Sequence, residues 1–243
     1  MDYRFYRHES LGSTNDEARR LALSGEPEGA VVVAETQTAG RGRSGRAWLT
    51  PPGAALALSV ILRPQVSPIH STQIGLLGGL AVLEGLEQLT GLALKLKWPN
   101  DVLAGGRKVA GVLAESGFTG SVLEYAILGL GVNVNAGPPP GVPLEYPATC
   151  LAAELGSTVD REAALQAILA ALARRYPQLG QPGLAGAWSQ HLAMRGLPVR
   201  VLGMVENIEG RLLGVEAGGA LVIQLENGAT RTFLTGDVHL REA

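Results

Sequence analysis

The sequence predicts an α+β fold in which a mixed or antiparallel sheet is flanked by helices and followed by a small all-β region. Residues 94–135 contain three strand-like segments separated by two glycine turns, which is typical of an antiparallel meander. Residues 71–89 have the length and apolar content of a packed helix. Residues 198–234 are short β-rich segments between glycine turns. We therefore expect two domains, residues 1–194 and residues 195–243.

The composition is that of an ordinary globular protein. The chain has 243 residues, 46% of them hydrophobic and 17% charged, and a net charge of −2. This length can bury a substantial core, and the charge gives no general attraction for nucleic acid. Cys150 is the single cysteine, so we expect no internal disulfide and a reducing cytoplasm. The charged amino terminus is not a secretory signal, and no apolar stretch has the length of a membrane span.

The amino-terminal part is predicted to begin with a helix between strands. The helix should start near Thr14, which fits a capping box with Glu17, and should end at Gly25. The polar side chains at its start are equally suited to forming a small ligand cradle. Residues 31–36 and 55–62 are β-branched or apolar and predict two buried strands.

The middle of the chain is the predicted meander. Residues 94–98 alternate apolar and basic side chains, so Lys95 and Lys97 should share one face of a strand. Pro99 should end the pairing of that strand. The Gly105-Gly106 pair predicts the tight turn of a hairpin. A second turn near residues 118–121 should return the chain for a third antiparallel strand.

Beyond the meander, the sequence predicts a loop and three helices before the small barrel. Residues 138–141 are rich in proline and indicate a surface loop. Asp160 is expected to cap the longest helix. The three helices are predicted over residues 150–155, 160–174 and 184–192.

A basic loop, residues 40–48, holds three glycines, three arginines and a closing tryptophan, Trp48. Glycine lets the backbone approach a ligand closely, and each guanidinium offers a fork of donors that matches phosphate or carboxylate. An indole adds a flat face on which a base can stack. These features predict a nucleotide site. Because ordering nine residues costs about 9–18 kcal/mol, we expect the basic loop to be mobile when empty and ordered over a phosphate-bearing ligand.

Four further motifs accompany the basic loop. They are Ser13-Thr14-Asn15, Lys97-Trp98-Pro99-Asn100-Asp101, the KVAGVLAE segment at residues 108–115, and Gly129-Leu130-Gly131-Val132-Asn133. In this order, and with the basic loop, they resemble the motifs of the biotin protein ligases, and the resemblance extends over almost the whole chain. It implies a class II synthetase-like catalytic domain with an SH3-like β-barrel as the carboxy-terminal tail.

The resemblance also implies a reaction, in which ATP and Mg²⁺ convert biotin to biotinyl-5'-AMP and the biotinyl group passes to a lysine of a biotin carboxyl carrier protein. A homodimer is a further family expectation. The residues implied to bind biotin are Ser13, Thr14, Asn15, Gln37, Gly40, Arg41, Arg43, Lys108, Gly111, Leu113, Gly129 and Gly131. Those implied to bind the nucleotide are Arg41, Arg43, Arg46, Trp48, Lys97, Asn100, Lys108 and Asn133. The catalytic set is Lys108, Arg41, Arg43 and Asp101.

Lys108 is the principal electrostatic catalyst that the residues themselves predict. A ligase that activates a carboxylic acid with ATP must bring a carboxylate and a phosphate together. Lys108 follows a tight turn on a strand, a more rigid mount than the basic loop. One charge at 4 Å contributes about 4 kcal/mol at an effective dielectric constant near 20, nearly three decades in rate. Asp101 is a candidate to orient a lysine or the metal ion, and no ligand cluster predicts a resident metal site.

Several other residues have a structural interpretation. Trp98 is expected to be a core aromatic beside the site. Arg46 is equally suited to pyrophosphate and to a surface carboxylate. The four histidines lack the spacing of metal ligands, and we interpret all of them as structural or surface residues: His8, His70, His191 and His239.

Three alternative functions remain to be weighed. A lipoate or octanoate ligase would use a related fold, but the complete basic loop and the barrel tail favour biotin. A biotin-sensing regulator would require a DNA-binding domain, for which residues 1–12 leave no room, so we expect no nucleic-acid partner. A purely structural module would leave Lys108 and the basic loop without a use. We expect no membrane partner.

Overall fold

The structure, a computed structural model, describes residues 1–49, 51–144, 146–202, 206–234 and 236–240. Its strands and helices follow one another in an α+β order. They are β1 Arg4–Leu11, α1 Thr14–Leu23, β2 Ala30–Gln37, β3 Ala55–Leu62, α2 Gln73–Thr90, β4 Leu94–Lys97, β5 Asp101–Ala104, β6 Arg107–Thr119, β7 Val122–Asn133, α3 Leu151–Leu155, α4 Arg161–Arg175, α5 Gly183–Gln190, β8 Pro198–Leu202, β9 Asn207–Val215, β10 Leu221–Gln224, β11 Thr230–Phe233 and β12 Asp237–Leu240.

A seven-stranded mixed sheet is the centre of the larger part of the chain. Its strand order is β1-β2-β3-β7-β6-β5-β4, with β1 and β2 parallel and the other neighbours antiparallel. The predicted meander is confirmed as β5, β6 and β7. Gly105 and Gly106 have φ angles of 54° and 76°, which suit glycine and turn β5 directly into β6.

Helix α2 packs on one face of this sheet and forms the main hydrophobic core. Leu77, Leu80 and Leu83 are fully buried there, and each buried leucine contributes about 1.5–3 kcal/mol. Helix α2 approaches the sheet closely at Gly78, where a Cβ would lie 2.6 Å from Cδ1 of Leu128 on β7. Gly91, with a φ angle of 72°, is the C-cap residue of the helix.

The start of helix α1 differs from the prediction. Ser13 is the N-cap residue and makes no capping bond through its side chain, and Thr14 is already helical. The hydroxyl of Thr14 bonds Gln37 on β2, while Glu17 pairs with Arg20 at 2.7 Å. The predicted capping box is therefore wrong, because tertiary contacts and a local ion pair use both side chains.

A second sheet, with strand order β11-β10-β9-β8-β12, forms the expected small carboxy-terminal unit and is antiparallel throughout. The turn between β9 and β10 packs against the part of the chain that contains the first sheet. Thr72 donates to the Gly218 carbonyl at 2.6 Å, and the Trp98 indole donates to the Gly219 carbonyl at 3.0 Å. This docking places β12 beside the basic loop.

None of the helices in the described ranges is long and apolar enough to cross a membrane.

Two strands were not predicted from the sequence. Strand β1 pairs only with β2 in the first sheet, and most of its side chains are exposed or half-buried. An edge strand of this kind lacks the apolar pattern that identifies a buried strand. Strand β12 is short and pairs with β8. The division into residues 1–194 and 195–243 stays a prediction.

Candidate active site

A cavity of about 400 Å³ lies between the first sheet, the basic loop, the loop before α3 and strand β12. The structure brings nearly every predicted site residue to its wall. The exception is Gly40, the first residue of the basic loop. It is buried, and a Cβ there would lie 2.9 Å from Nε2 of Gln37. The predicted residues that line the cavity are Ser13, Thr14, Asn15, Gln37, Arg41, Arg43, Arg46, Trp48, Lys97, Asn100, Asp101, Lys108, Gly111, Leu113, Gly129, Gly131 and Asn133.

A polar cradle consists of Ser13, Thr14, Asn15 and Gln37, which line one end of the cavity, and of Ser59, which lies behind them and is fully buried. Oε1 of Gln37 accepts from the backbone N–H of Thr14 at 2.8 Å and from its hydroxyl at 3.2 Å. The hydroxyl of Ser59 on β3 lies 2.8 Å from Oγ1 of Thr14 and 2.6 Å from Oδ1 of Asn15. Ser13, Thr14, Asn15 and Ser59 are all buried. The cradle is therefore a fixed, uncharged set of donors and acceptors.

Glycines form the floor of the cavity. Gly111 on β6 lies directly opposite Gly131 on β7, and Gly129 lies two residues further along the same strand. A Cβ at Gly131 would lie 2.6 Å from Nε1 of Trp48, and one at Gly129 would lie under 3.0 Å from Oδ1 of Asn15. Any larger residue at these positions would displace a predicted ligand contact, so the floor has to be bare backbone.

Two lysines, on strands β4 and β6 at either side of β5, supply positive charge. Nζ of Lys108 lies 2.6 Å from Oδ1 of Asp101, and it is 5.7 Å from the centre of the Trp48 ring. Lys97 is only 3% exposed, with Nζ 4.8 Å from the Tyr146 ring centre. Burial lowers the pKa of Lys97, although the nearby carboxylate of Asp101 acts in the opposite direction. Of the two lysines predicted to share one face of the strand, Lys95 is exposed and Lys97 is buried.

The basic loop closes the cavity from the outside and is held by ion pairs. Arg41 makes a two-pronged contact with Asp16 at 2.5 and 2.7 Å. Arg46 donates to Asp237 of β12 at 2.7 Å. Of the two partners predicted for Arg46, pyrophosphate and a carboxylate, the structure shows the carboxylate. Burial acts to raise the pKa of Asp237, but Arg46, Lys97 and Arg43 together outweigh it, so the pKa is lowered. Burial also lowers the pKa of Arg43.

Trp48 and Asn133 lie at the end of the cavity nearest the loop before α3. The amide of Asn133 donates from Nδ2 to the Thr149 carbonyl at 2.9 Å. Within the described residues, Oδ1 of Asn133 and Nε1 of Trp48 are buried and have no hydrogen-bond partner. A buried polar atom without a partner costs about 1–3 kcal/mol, so both atoms are suited to meeting polar groups of a bound molecule.

Asn100 has a different environment from these two residues. Its Nδ2 donates to the Val112 carbonyl at 2.7 Å, and its own carbonyl accepts from the Val112 N–H at 2.9 Å. Asn100 thus fastens the turn between β4 and β5 to β6. The neighbouring Trp98 is 2% exposed, which confirms its interpretation as a core aromatic beside the site.

Family models match both parts of the chain. The model of the biotin/lipoate A/B protein ligase family matches residues 8–133, and that of the biotin protein ligase C-terminal domain matches residues 196–241. The chain belongs to the biotin/lipoate A/B protein ligase family. The family match covers the polar cradle, the basic loop, both lysines and the glycine floor, and the second match covers β12.

Individual ligases are similar over most of their length. The biotin--[acetyl-CoA-carboxylase] ligase of Paracoccus denitrificans is 38% identical over 221 residues, 87% of this chain and 90% of that protein. The bifunctional ligase/repressor BirA of Bacillus subtilis is 33% identical over 242 residues, 96% of this chain and 73% of that protein. The biotin protein ligase of Aquifex aeolicus, solved with biotin and ATP, has a TM-score of 0.82 and 31% identity, with 99% of each chain covered.

Several residues of the ligase site were missed by sequence reasoning. Ser59 lies inside an apolar strand and was read as core. Asp237 and His239 of β12 also line the cavity. Val238 between them is 1% exposed, and alternation along the strand therefore turns its neighbours towards the cavity. The loop before α3 adds further wall residues: Pro138, Val142, Pro143, Leu144, Tyr146 and Ala148.

The acidic residues of the site do not form a metal centre. Among the described residues, Asp101 and Asp237 are the carboxylates that line the cavity, and each is paired with a cation. Across the described residues there is no group of three histidine, cysteine, aspartate or glutamate side chains that could hold a metal ion. The donor set fits a cation that arrives with a polyphosphate better than one that resides in the protein.

Proposed function

We propose that this protein is an ATP-dependent ligase that converts biotin to biotinyl-5'-AMP and transfers the biotinyl group to a lysine of a biotin carboxyl carrier protein. The observation that carries the proposal is a single cavity with an uncharged polar cradle at one end and lysines and arginines along the rest of its wall. A cyclic urea fits the first region, and a carboxylate beside phosphates fits the second. The similar Aquifex aeolicus ligase was solved with both biotin and ATP.

The first step joins two anions. A carboxylate oxygen of biotin attacks the α-phosphorus of ATP, and the bond from that phosphorus to the β-phosphate oxygen breaks. The products are biotinyl-5'-AMP and pyrophosphate. The protein contributes positioning of the reactants and positive charge to this step. Both are most effective in a site that is preorganised before the reactants meet.

Lys108 is the cation best mounted for this step. It sits on β6 next to the glycine floor, and Asp101 holds its Nζ at 2.6 Å. This contact supports the orienting role that we propose for Asp101. Arg41 and Arg43 would add charge from the basic loop once it closes over the phosphates. Since Lys108 is already in place, its contribution needs no further ordering of the chain.

The remaining residues divide between the two substrates. Ser13, Thr14, Asn15 and Gln37 would hold the urea ring of biotin, above the glycine floor. Trp48 would stack on the adenine. The unpartnered Oδ1 of Asn133 suits the amino group of that base. Mg²⁺ would enter with the triphosphate and neutralise part of its charge, with Asp101 as the carboxylate nearest to the reaction.

The second step is an acyl transfer. The neutral amine of the acceptor lysine attacks the carbonyl carbon of biotinyl-5'-AMP, the bond to the phosphate oxygen breaks, and AMP leaves with its negative charge. The amine loses a proton as the amide forms. Lys108 lies where it can stabilise the departing phosphate as well as the first transition state.

The setting of the reaction is also part of the proposal. The acceptor would be the carrier protein of a carboxylase, as the names of the Paracoccus and other relatives suggest. A cytoplasmic location follows from the composition and the single cysteine. We also propose that the protein forms a homodimer, which sedimentation at assay concentrations would test.

Intact-mass analysis of a biotin carboxyl carrier domain tests the proposal directly. The domain is incubated with this protein, ATP and Mg²⁺, with biotin, lipoate or octanoate offered in parallel. We expect a mass gain with biotin alone. A gain only with lipoate or octanoate would transfer the assignment to the related ligases. No gain with any of the three acids, on a carrier that a known ligase does modify, would refute the ligase assignment.

A further inference from the structure

Glu115 on β6 connects the polar cradle to the basic loop although it lies outside the cavity wall. Its Oε2 accepts from Nδ2 of Asn15 at 2.6 Å. Its Oε1 accepts from Arg19 at 2.7 Å and lies 3.7 Å from the guanidinium of Arg41. The carboxylate lines a neighbouring cavity on the far side of Leu113, so a molecule in the main cavity would meet Asn15 rather than Glu115.

The bond to Glu115 determines how the amide of Asn15 is turned. In the observed orientation Nδ2 faces the carboxylate and also the Leu113 carbonyl at 3.4 Å, while Oδ1 faces the Ser59 hydroxyl at 2.6 Å. Rotating the amide by half a turn would bring Oδ1 against a carboxylate oxygen. Neither atom can donate a hydrogen bond, so the reversed orientation is excluded by repulsion between two acceptors.

The amide oxygen is also confined by the floor of the cavity. Gly129 on β7 has no Cβ, and one added there would lie under 3.0 Å from Oδ1. Asn15 is 3% exposed and lines the cavity. A carbonyl oxygen has two lone pairs, of which the Ser59 hydroxyl uses one. Asn15 therefore offers an acceptor to the cavity, while both amide hydrogens are directed away from it.

We propose that Glu115 is a positioning residue for substrate selection, which holds Asn15 so that the cradle presents an acceptor to a ligand N–H group. This inference rests on the proposed function and deepens it. The cyclic urea of biotin carries N–H donors, whereas the dithiolane ring of lipoate and the hydrocarbon end of octanoate carry none. The cradle is thus selective through the orientation of one amide, and Glu115 acts entirely through that amide.

A double-mutant cycle on biotin affinity tests this role. Calorimetry would give Kd for biotin with the wild type, Glu115→Ala, Asn15→Ala and the double variant. We expect Glu115→Ala to raise Kd about tenfold, as for the loss of one charge-assisted hydrogen bond. In the Asn15→Ala background the same change should have little further effect, because Asn15 is the cavity residue to which Glu115 is hydrogen-bonded, whereas Arg41 lies 3.7 Å away, beyond hydrogen-bonding distance.

Two companion variants make the result specific. Glu115→Gln keeps the shape but can pair with either orientation of Asn15, so it should weaken biotin binding less than Glu115→Ala, and its own cycle applies if the alanine variant fails to fold. Asp16→Asn removes the other carboxylate that holds Arg41 and should leave Kd for biotin unchanged.

The outcomes separate this inference from the proposed function. If Glu115→Ala costs the same factor with and without Asn15, the carboxylate acts generally on the fold and the positioning role is refuted. The same conclusion holds if Kd for biotin does not change in the single variant. If the wild type itself does not bind biotin, the proposed function fails, and the inference fails with it.

Discussion

The polar cradle and the basic loop use the same kinds of interaction in opposite ways. In the cradle, Thr14, Asn15 and Ser59 are 4%, 3% and 0% exposed and bond to one another. In the basic loop, the side chains of Arg41 and Arg46 are 36% and 41% exposed and pair with carboxylates at the surface. Buried hydrogen bonds are costly to break, whereas exposed ion pairs contribute at most about 1 kcal/mol.

The difference teaches how one site can be both selective and open. In the proposed function, the cradle would bind an uncharged group, for which its donors and acceptors have to be fixed beforehand. The basic loop would bind phosphates, and its arginines would exchange a surface carboxylate for a phosphate at little cost. Substitutions in the cradle should therefore change substrate affinity directly, and substitutions around the basic loop should change how readily it opens.

Removing the cation that lies between the two regions should have the largest effect. Lys108→Ala should keep the fold but slow adenylate formation by about two to three decades, because one charge near the reacting atoms is lost. Single-turnover formation of biotinyl-5'-AMP measures this. Lys95→Ala is the matched control, since Lys95 is an exposed lysine on β4 of the same sheet. A wild-type rate in Lys108→Ala would show that the arginines of the basic loop alone supply the charge.

Crowding the cradle should give the next largest effect. Gly129→Ala would place a Cβ under 3.0 Å from Oδ1 of Asn15, and overpacking of this kind costs about 1–3 kcal/mol. We expect Kd for biotin to rise about tenfold to a hundredfold, while nucleotide binding changes far less. Gly186→Ala on α5 is the control, because a Cβ there would meet nothing within 4 Å. Equal losses for both ligands would mean that the cradle and basic loop are not separable.

The two regions also differ in how far they could be predicted. The basic loop was evident from the sequence, because its arginines, glycines and Trp48 are consecutive. The meander was equally clear from its Gly105-Gly106 turn. All residues of the cradle except Ser59 were identified by resemblance, but their mutual contacts were not. Ser59 became recognisable only when the fold placed β3 beside the start of α1, since a single serine in an apolar strand carries no signal of its own.

Contacts between distant segments were the main omission. Arg46 and Asp237 are 191 positions apart and yet bond at 2.7 Å. Nothing local to β12 indicates that its polar residues face a cavity, because that depends on how the second sheet docks on Thr72 and Trp98. Charge pairs of this kind depend on tertiary placement, which neither residue periodicity nor turn chemistry encodes.

A third substitution measures how much the buried charge beside the basic loop lowers the stability of the fold. Lys97→Met should raise Tm, by about 3 °C for each kcal/mol gained, because burial lowers the pKa of Lys97 and so opposes its charged form. The same change should weaken ATP binding. Thermal denaturation and nucleotide titration measure the two effects, and the exposed Lys95→Met is the control. A lower Tm would mean that the attraction of Asp101 outweighs burial.

The pH dependence of this gain follows from the sign of the shift. The ordinary pKa of 10.5 applies to Lys97 in the unfolded chain, and the folded value is lower. The charged lysine therefore costs stability at every pH below the folded pKa, and this cost disappears as pH rises from the folded value towards 10.5. The difference in unfolding free energy between Lys97→Met and the wild type should be constant at pH values below the folded pKa of Lys97 and shrink as the pH rises from that value towards 10.5.

The smallest expected effect comes from releasing the basic loop. Arg41 lowers the pKa of Asp16 through their hydrogen bonds, so Asp16 stays ionised and the pair persists at neutral pH. Asp16→Asn should raise the rate of proteolysis within residues 40–48 by a few-fold, as expected for an exposed pair. ATP with biotin should protect wild type and variant alike, because phosphates then replace Asp16 as the partner of Arg41. If ligands leave cleavage unchanged in the wild type, the basic loop is already ordered when empty, and its difference from the cradle is one of charge alone.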